Sequence, residues 1–293
     1  MELHQLEYFV AVAEEGGFTA GARRAGVVQS AASTAVRRLE AEFGLDLFTR
    51  AGRRVELTEP GRTLLADARE IIAATRFARE HLQQRGEGLT GTVTIGTLLA
   101  TGSLDLAAAL RTFHAQHPAV YVRLRHRPGH SETHLAAVAE GAVDLAVVLV
   151  PGRVPDGVRI DPVAAITPAL VASPHHDLAG RAEVRLADLA GKTFIDFPAG
   201  WGNRDATDAL FRTAGVHRTV SIEATDIAST LELVAGGLGL AFVPESAAGH
   251  HGGVVRIRLA AAPPTVPLGI ASTSRRRLSP ATDALRRALL VTA

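Results

Sequence analysis

Residues whose chemistry suits a nucleic acid stand close together near the amino terminus. Gln29, Ser30, Ser33, Thr34, Arg37 and Arg38 share one face of a helical pattern, while Ala32, Val36, Leu39 and Phe43 recur at intervals of four, three and four on the other. Amide and hydroxyl side chains pair with base edges and phosphates, and guanidinium groups with phosphates or guanine. A little further on, Arg50, Arg53 and Arg54 surround Gly52 between two short β-prone stretches. Such a basic ribbon lies along a DNA backbone or in a minor groove. An arginine cluster alone fits a solvated surface equally well. The order helix, tight turn, helix, ribbon separates the two readings, because that geometry lays one helix in a major groove.

The elements that must position these residues can be read from periodicity. Leu3, Leu6, Phe9, Val10 and Ala13 mark a first helix that closes at Gly16-Gly17; Phe18 opens a second, with Thr19 expected as its N-cap. The connection turns at Gly26, and a third helix runs from Ser30, its expected cap, to Phe43. From Thr58, an N-cap with Pro60 in the first turn, a helical pattern continues to about residue 85. Within it Leu64, Ala68, Ile71, Thr75, Ala78 and Leu82 follow spacings of four and three, the seam of a coiled coil, widened by Leu65 and Ile72. Packing of this helix on its own winged domain is the rival expectation. A symmetric dimer is favoured because twofold DNA sites need two readers a fixed distance apart.

After Gly91 strands and helices alternate, the signature of an α/β domain. Strands are expected at 92–97, 120–126, 144–149, 169–173, 193–197, 219–223, 240–243 and 266–272. The nearly all-apolar VDLAVVLV reads as a central strand covered on both faces.

Composition limits the classes of function. A chain of 293 residues and 30.7 kDa can hold two or three domains. Its formal net charge of +1, with seven arginines against eight acids in residues 1–58, excludes nucleic-acid binding by bulk electrostatics, so position must decide. No stretch approaches the ~18 apolar residues of a membrane span. The start MELHQLEYF carries no basic-then-apolar leader, and there is no cysteine, so a reducing cytoplasm is the expected location.

Other chemistries find little support. His126, His130 and His134 recur every fourth residue, but Pro128 and Gly129 break the helix that would align them on a metal, and the pairs His175-His176 and His250-His251 read as loop residues. The nearest approach to a nucleophile elbow, Gly129-His130-Ser131-Glu132-Thr133, ends in threonine, and the single lysine, Lys192, follows Leu189 rather than serine at three residues. The glycine-rich GGLGLAF at 236–242 follows a helix and precedes a strand, the reverse of a dinucleotide loop. No catalysis, metal or cofactor is expected.

Over essentially its full length the chain resembles a LysR-type transcriptional regulator. The resemblance rests on LEYFVAVAEEGGFTAGARRAGVVQSAASTAVRRLEAEFGLDLFTRAGRRVELTEPG, GTVTIG at 91–96, FHAQHP at 113–118, EGAVDLAVV at 140–148 and LVAGGLGLAFVP at 233–244. It implies a mixed fold: a winged helix-turn-helix domain at 1–58, a linker and dimerisation helix at 59–88, and a two-lobed α/β effector domain at 89–293 resembling periplasmic binding proteins. Lobe I would comprise 91–161 and 267–293, and lobe II 162–266. The implied partners are a double-stranded operator, a small-molecule effector, a second copy in a homodimer or homotetramer, and RNA polymerase. Three positions depart from the family: Val28 and Ser30 stand where serine and proline usually flank Gln29, leaving the third helix without its usual cap, and Thr34 replaces what is often a longer polar side chain.

Ligands of two-lobed α/β domains lie outside the carboxyl ends of strands. That rule selects Leu99, Ala100, Thr101, His130, Leu149, Pro198, Trp201, Asn203, Arg204, Thr225 and Asp226. Arg204 and His130 direct the expectation toward a small carboxylate, and Trp201 toward an aromatic one. The alternative is a small-molecule binding or transport component that uses the carboxy-terminal lobes without regulating DNA.

Overall fold

The computed structural model describes residues 1–51, 54–83, 88–98, 104–126, 131–249 and 251–291. It contains two compact units, Met1–Gly91 with the turn Glu140–Ala142, and Thr92–Ala139 with Val143–Ala293.

The first unit begins with helices α1 (Leu3–Glu15), α2 (Phe18–Ala25) and α3 (Gln29–Phe43), followed by the antiparallel strands β1 (Phe48–Ala51) and β2 (Arg54–Leu57), then helix α4 (Glu59–Gln83). Leu6, Phe9 and Val10 of α1 pack against Val36 and Leu39 of α3, Leu47, and Ala68 of α4 in one buried cluster. The ring of Phe48 sits 5.3 Å from Phe9 and 5.7 Å from Phe18, tying the ribbon to that core. Between α2 and α3 the chain reverses at Gly26, whose φ of +70° lies in the left-handed region.

Three local expectations are corrected. Gly17, not Thr19, occupies the N-cap of α2. The N-cap of α3 is Val28, which gives no side-chain hydrogen bond, and Ser30 lies inside the first turn, too late to cap it. Phe43 ends the apolar stripe but is 46% exposed, at the last turn of α3 before Gly44. Thr58 does cap α4, its Oγ1 accepting from the Gly61 amide at 3.0 Å.

The second unit holds two groups of strands. A five-stranded sheet in the order β4-β3-β5-β12-β6 is built from β3 (Gly91–Thr97), β4 (Val120–His126), β5 (Leu145–Leu149), β6 (Val158–Ile166) and β12 (Val266–Thr273), with α5 (Leu106–Gln116) and α6 (Ser131–Ala139) between its early strands. β5 runs parallel to β3 and antiparallel to β12, and every residue of it is buried. The other group comprises β7 (Pro168–Ala172), β8 (Thr193–Asp196), α7 (Gly202–Thr213), β9 (Thr219–Glu223), α8 (Ile227–Ala235), β10 (Ala241–Pro244), the single-turn α9 (Glu245–Ala248) and β11 (Val255–Ile257). Here β10 and β11 flank β7, β8 pairs with β9, and a bridge from Phe194 to Leu240 links the two sets. The closing helix α10 (Pro280–Val291) buries Leu285 and Leu289.

Sequence periodicity overlooked β6 and β11. β6 contains Asp161 and Pro162, which argue against an interior strand, but it is the edge of its sheet, where a missing amide donor is tolerated. It pairs with β12 as far as Ile166, so the chain leaves this sheet there rather than at residue 161 and returns at Val266. β11 has three residues, too few for a period to register.

Gly21 marks the close crossing of α1 and α2: a Cβ at this position would lie 2.6 Å from Val12 Cα and 2.7 Å from its nitrogen. Gly21→Ala must therefore push α1 and α2 apart, at an expected cost of about 1–3 kcal/mol in urea denaturation. An unchanged midpoint would rule out this helix crossing.

Candidate nucleic-acid interface and effector cleft

On α3 burial divides the side chains as their spacing requires. Ala32, Ala35, Val36 and Leu39 are buried, whereas Gln29, Ser30, Thr34, Arg37 and Arg38 are exposed and Ser33 is half-buried. Arg37 Nε donates to the Ser33 carbonyl at 3.3 Å, laying its side chain along the helix. Arg38 forms no ion pair with any described residue. Arg24 differs, because its guanidinium is committed to Glu14 and Glu15 at the end of α1. In the ribbon, Arg50 pairs with Val55 and Ala51 with Arg54 across the strands. Arg53 lies outside the described residues, as do the side chains of Arg50 and Arg54.

The apolar stripe of α4 is divided between two uses. Leu64, Leu65, Ala68 and Ile72 pack on the core of the winged unit, as the rival expectation held for this part of the helix. Ile71 is 40% exposed and Leu82 71%, and Ala78 is exposed on the same side. Thr75 Oγ1 donates to the Ile71 carbonyl. The expected six-residue seam is thus used internally at Leu64 and Ala68 and is open from Ile71 onward.

In the second unit the expected effector residues fall into distinct environments. Leu149 ends β5, its amide donating to Ser131 Oγ at 2.9 Å, and its side chain reaches the first residue of α7: a Cβ on Gly202 would lie 2.5 Å from Leu149 Cδ1. The end of the five-stranded sheet and the start of α7 therefore face one another at this point. Trp201 stacks on Phe197 with ring centroids 6.0 Å apart and planes 10° from parallel. Asn203 lines a small apolar hollow with Ala206, Thr207, Ile166, Pro168, Phe242 and Val266, beside both crossovers between the sheets. Asp226 is spent as the N-cap of α8, accepting from the Ser229 amide at 2.8 Å, a bond that lowers its carboxyl pKa. Pro198 is half-buried and Thr225 exposed. Leu99, Ala100, Thr101 and His130 lie outside the described residues.

Arg204 requires a correction. Its Nε donates to Asp208 at 2.9 Å and its Nη1 to the Phe197 carbonyl at 3.0 Å, with Glu223 at 3.5 Å and Asp196 at 3.7 Å. A guanidinium so surrounded is already neutralised and offers little to an incoming carboxylate. The partners that hold it have no periodic signature in the sequence. Asp196 is almost fully buried at the end of β8, paired with Arg218 at 2.6 Å, and Arg218 also reaches Asp208 at 2.6 Å. The guanidinium of Arg218 lies over the rings of Phe194 and Phe211 at 5.2 and 5.0 Å. Burial raises the Asp196 carboxyl above the usual range, opposed by Arg218 and the Phe197 amide. The one signal in the sequence was Asp196 itself, a charge closing an otherwise apolar strand.

The remaining alternatives resolve locally. Lys192 is paired with Asp177, whose carboxyl is lowered chiefly by that bond. His134 is buried against Gly96, where a Cβ would lie 2.6 Å from its Nδ1; His130 and the side chain of His126 lie outside the described residues. Among the described residues no group of three His, Cys, Asp or Glu side chains could hold a metal ion, and no helix is long and apolar enough to cross a membrane.

A winged helix-turn-helix unit and a two-lobed α/β domain define a DNA-binding regulator with a ligand-responsive module. Comparison with known proteins agrees. Residues 3–62 match the bacterial regulatory helix-turn-helix proteins of the lysR family, and residues 86–292 match the LysR substrate binding domain. The HTH-type transcriptional regulator CfxR of Cupriavidus necator is 32% identical over 293 residues, covering 99% of this chain and 91% of that one. A full-length OxyR variant from Pseudomonas aeruginosa has the same fold, with a TM-score of 0.78, 21% identity and coverage of 100% and 99%. Full-length CbnR complexed with its target DNA gives a TM-score of 0.68 at 24% identity, with 100% of both chains covered. The chain belongs to the LysR family of transcriptional regulators, DNA-binding proteins that carry an effector-binding domain.

Removing Arg218 would leave the buried Asp196 without its closest counter-charge, with only the more distant Arg204 at 3.7 Å. Arg218→Ala is expected to cost about 3–5 kcal/mol in urea denaturation at neutral pH. A carboxyl raised in the native state contributes stability that is present below its ordinary pKa and lost as pH rises through the native value. The variant's deficit should therefore shrink as the pH is lowered and Asp196 takes up a proton. A deficit independent of pH would show that Asp196 is not the group left unpaired.

Proposed function

We propose that α3 enters the major groove of a twofold operator with Gln29, Ser30, Ser33 and Thr34 at the base edges and Arg37 and Arg38 at phosphates or guanine, while Arg50, Arg53 and Arg54 of the ribbon engage the adjacent backbone. The observation that carries this reading is the division of α3 into a buried stripe and an exposed face of amides, hydroxyls and guanidinium groups. Two copies pair through the open part of α4, at Ile71, Thr75, Ala78 and Leu82, with further assembly into a tetramer. The domain at 89–293 binds a small molecule between its lobes. Occupancy changes how the paired readers sit on DNA and how the assembly meets RNA polymerase in the cytoplasm.

For the effector, the commitment of Arg204 shifts the weight from a carboxylate to a ligand read by apolar contact with Leu149 and Trp201 and by the amide of Asn203. A thermal-shift screen of small acids and neutral metabolites tests this, since a charged anchor favours acids alone. Hits should lose their shift in Trp201→Ala and Asn203→Ala. Hits confined to carboxylates and indifferent to both substitutions would refute it.

For DNA, Arg38→Ala should weaken binding at least tenfold in a fluorescence-anisotropy titration, since tenfold is about 1.4 kcal/mol and lies within the ~1–3 kcal/mol expected of one good contact. Unchanged affinity would remove Arg38 from the interface. Leu82→Glu should shift the protein toward monomer in light scattering, because a charge on each chain would be buried at the shared seam. A dimer that persists undiminished would move the seam elsewhere.

A further inference from the structure

Two consecutive valines precede α3, and they have opposite fates. Val27 packs on Val12, Ala22 and Ala32 in the small cluster beneath the helix-turn-helix. Val28, with φ −75° and ψ +149°, is extended, and its side chain is 69% exposed at the leading end of α3. A residue at this N-cap would ordinarily be serine, threonine, asparagine or aspartate, whose side chain satisfies an amide of the first turn. Valine supplies no such bond here and leaves a branched hydrocarbon in water.

Both features work against the isolated fold, and they coincide immediately before Gln29, at the end of α3 that enters the groove in a helix-turn-helix complex. Neighbouring exposed side chains on this face are amides, hydroxyls and guanidinium groups, which read donors and acceptors. The major groove presents one apolar feature, the C5-methyl group of thymine, and it is read by apolar contact.

We propose that Val28 is a specificity-determining residue that packs against a thymine methyl group in each half-site of the operator. The proposal rests on the reading of α3 as the groove-entering helix. It assigns the N-cap position to base selection at the expense of helix capping, so that one substitution should move stability and specificity in opposite directions.

The test uses the full-length protein and a duplex that it enriches from a randomised library. Each thymine is replaced in turn, in both half-sites, by deoxyuridine, which lacks only the C5-methyl group. At one symmetric pair of positions the wild-type protein should lose about fourfold in affinity per half-site, the ratio that corresponds to ~0.8 kcal/mol for one buried carbon. Val28→Ser should bind the thymine duplex weakly by the same factor and no longer distinguish it from the deoxyuridine duplex. The same variant, having gained a capping hydroxyl, should melt at a higher temperature than the wild type. A misfolded variant would melt lower, so Val28→Ala, which adds no cap, serves as the second reading of the same loss of discrimination. Binding to the enriched duplex with no deoxyuridine position whose effect depends on residue 28 would overturn the assignment of Val28 alone. Failure to enrich any duplex would overturn the reading of α3, and this assignment with it.

Discussion

The packing of α3 across α1 is the constraint on which the DNA-reading half of this protein depends. Val36 and Leu39 are buried against Phe9 and Val10, and Ala32 against Val12 and Ala22, so the positions on the opposite side of α3 have no alternative but to face outward. Small residues at Ala32 and Gly21 let the three helices approach closely, and the Gly21 crossing admits no side chain at all. Ala68, Leu64 and Ile72 of α4 insert into the same core. The start of the long helix is therefore held by the same core as α3. Pairing through the later part of α4 would then fix the distance between two reading helices without a separate device, which is what a twofold DNA site demands.

The second unit is organised around a different physical problem, the burial of charge. Asp196 and Arg218 lie almost wholly out of water, and neither would be stable there alone. Asp208 and Arg204 complete the balance, and the faces of Phe194 and Phe211 cover the Arg218 guanidinium. The arrangement ties the end of β8 to α7 and to the start of β9, holding the first turn of α7 where Gly202 meets Leu149. Its effect on function is indirect. On the reading proposed for the cleft, charges that would otherwise dictate the choice of ligand are satisfied inside the protein, which would leave discrimination at this wall to shape, apolar surface and a few hydrogen bonds.

Legibility varied between the two units for reasons that individual residues make plain. The helices of the first unit are amphipathic and end at glycines, so period and punctuation agreed, and α1, α3 and α4 were recognisable in outline. Thr19 and Ser30 resemble caps in the sequence because the chemistry that suits a cap also suits an exposed helical face. β6 was obscured by Pro162, which is admissible on an edge, and edge status is a property of the assembled sheet. Arg204 looked available because the sequence shows a cation in a loop and does not show that Asp196, Asp208 and Glu223 converge on it from two strands and a helix.

The amino-acid sequence by itself determined the class of fold, the division of α3 into an apolar stripe and a polar face, and the family, since these rest on local periodicity and on turn residues close together in the chain. Tertiary structure alone decided which part of the α4 stripe is spent in the winged core, which arginine is free and which is neutralised, and which of two adjacent valines is left in water. Each of these depends on groups far apart in sequence arriving within a few ångströms of one another, and no pattern along a single strand or helix records that meeting.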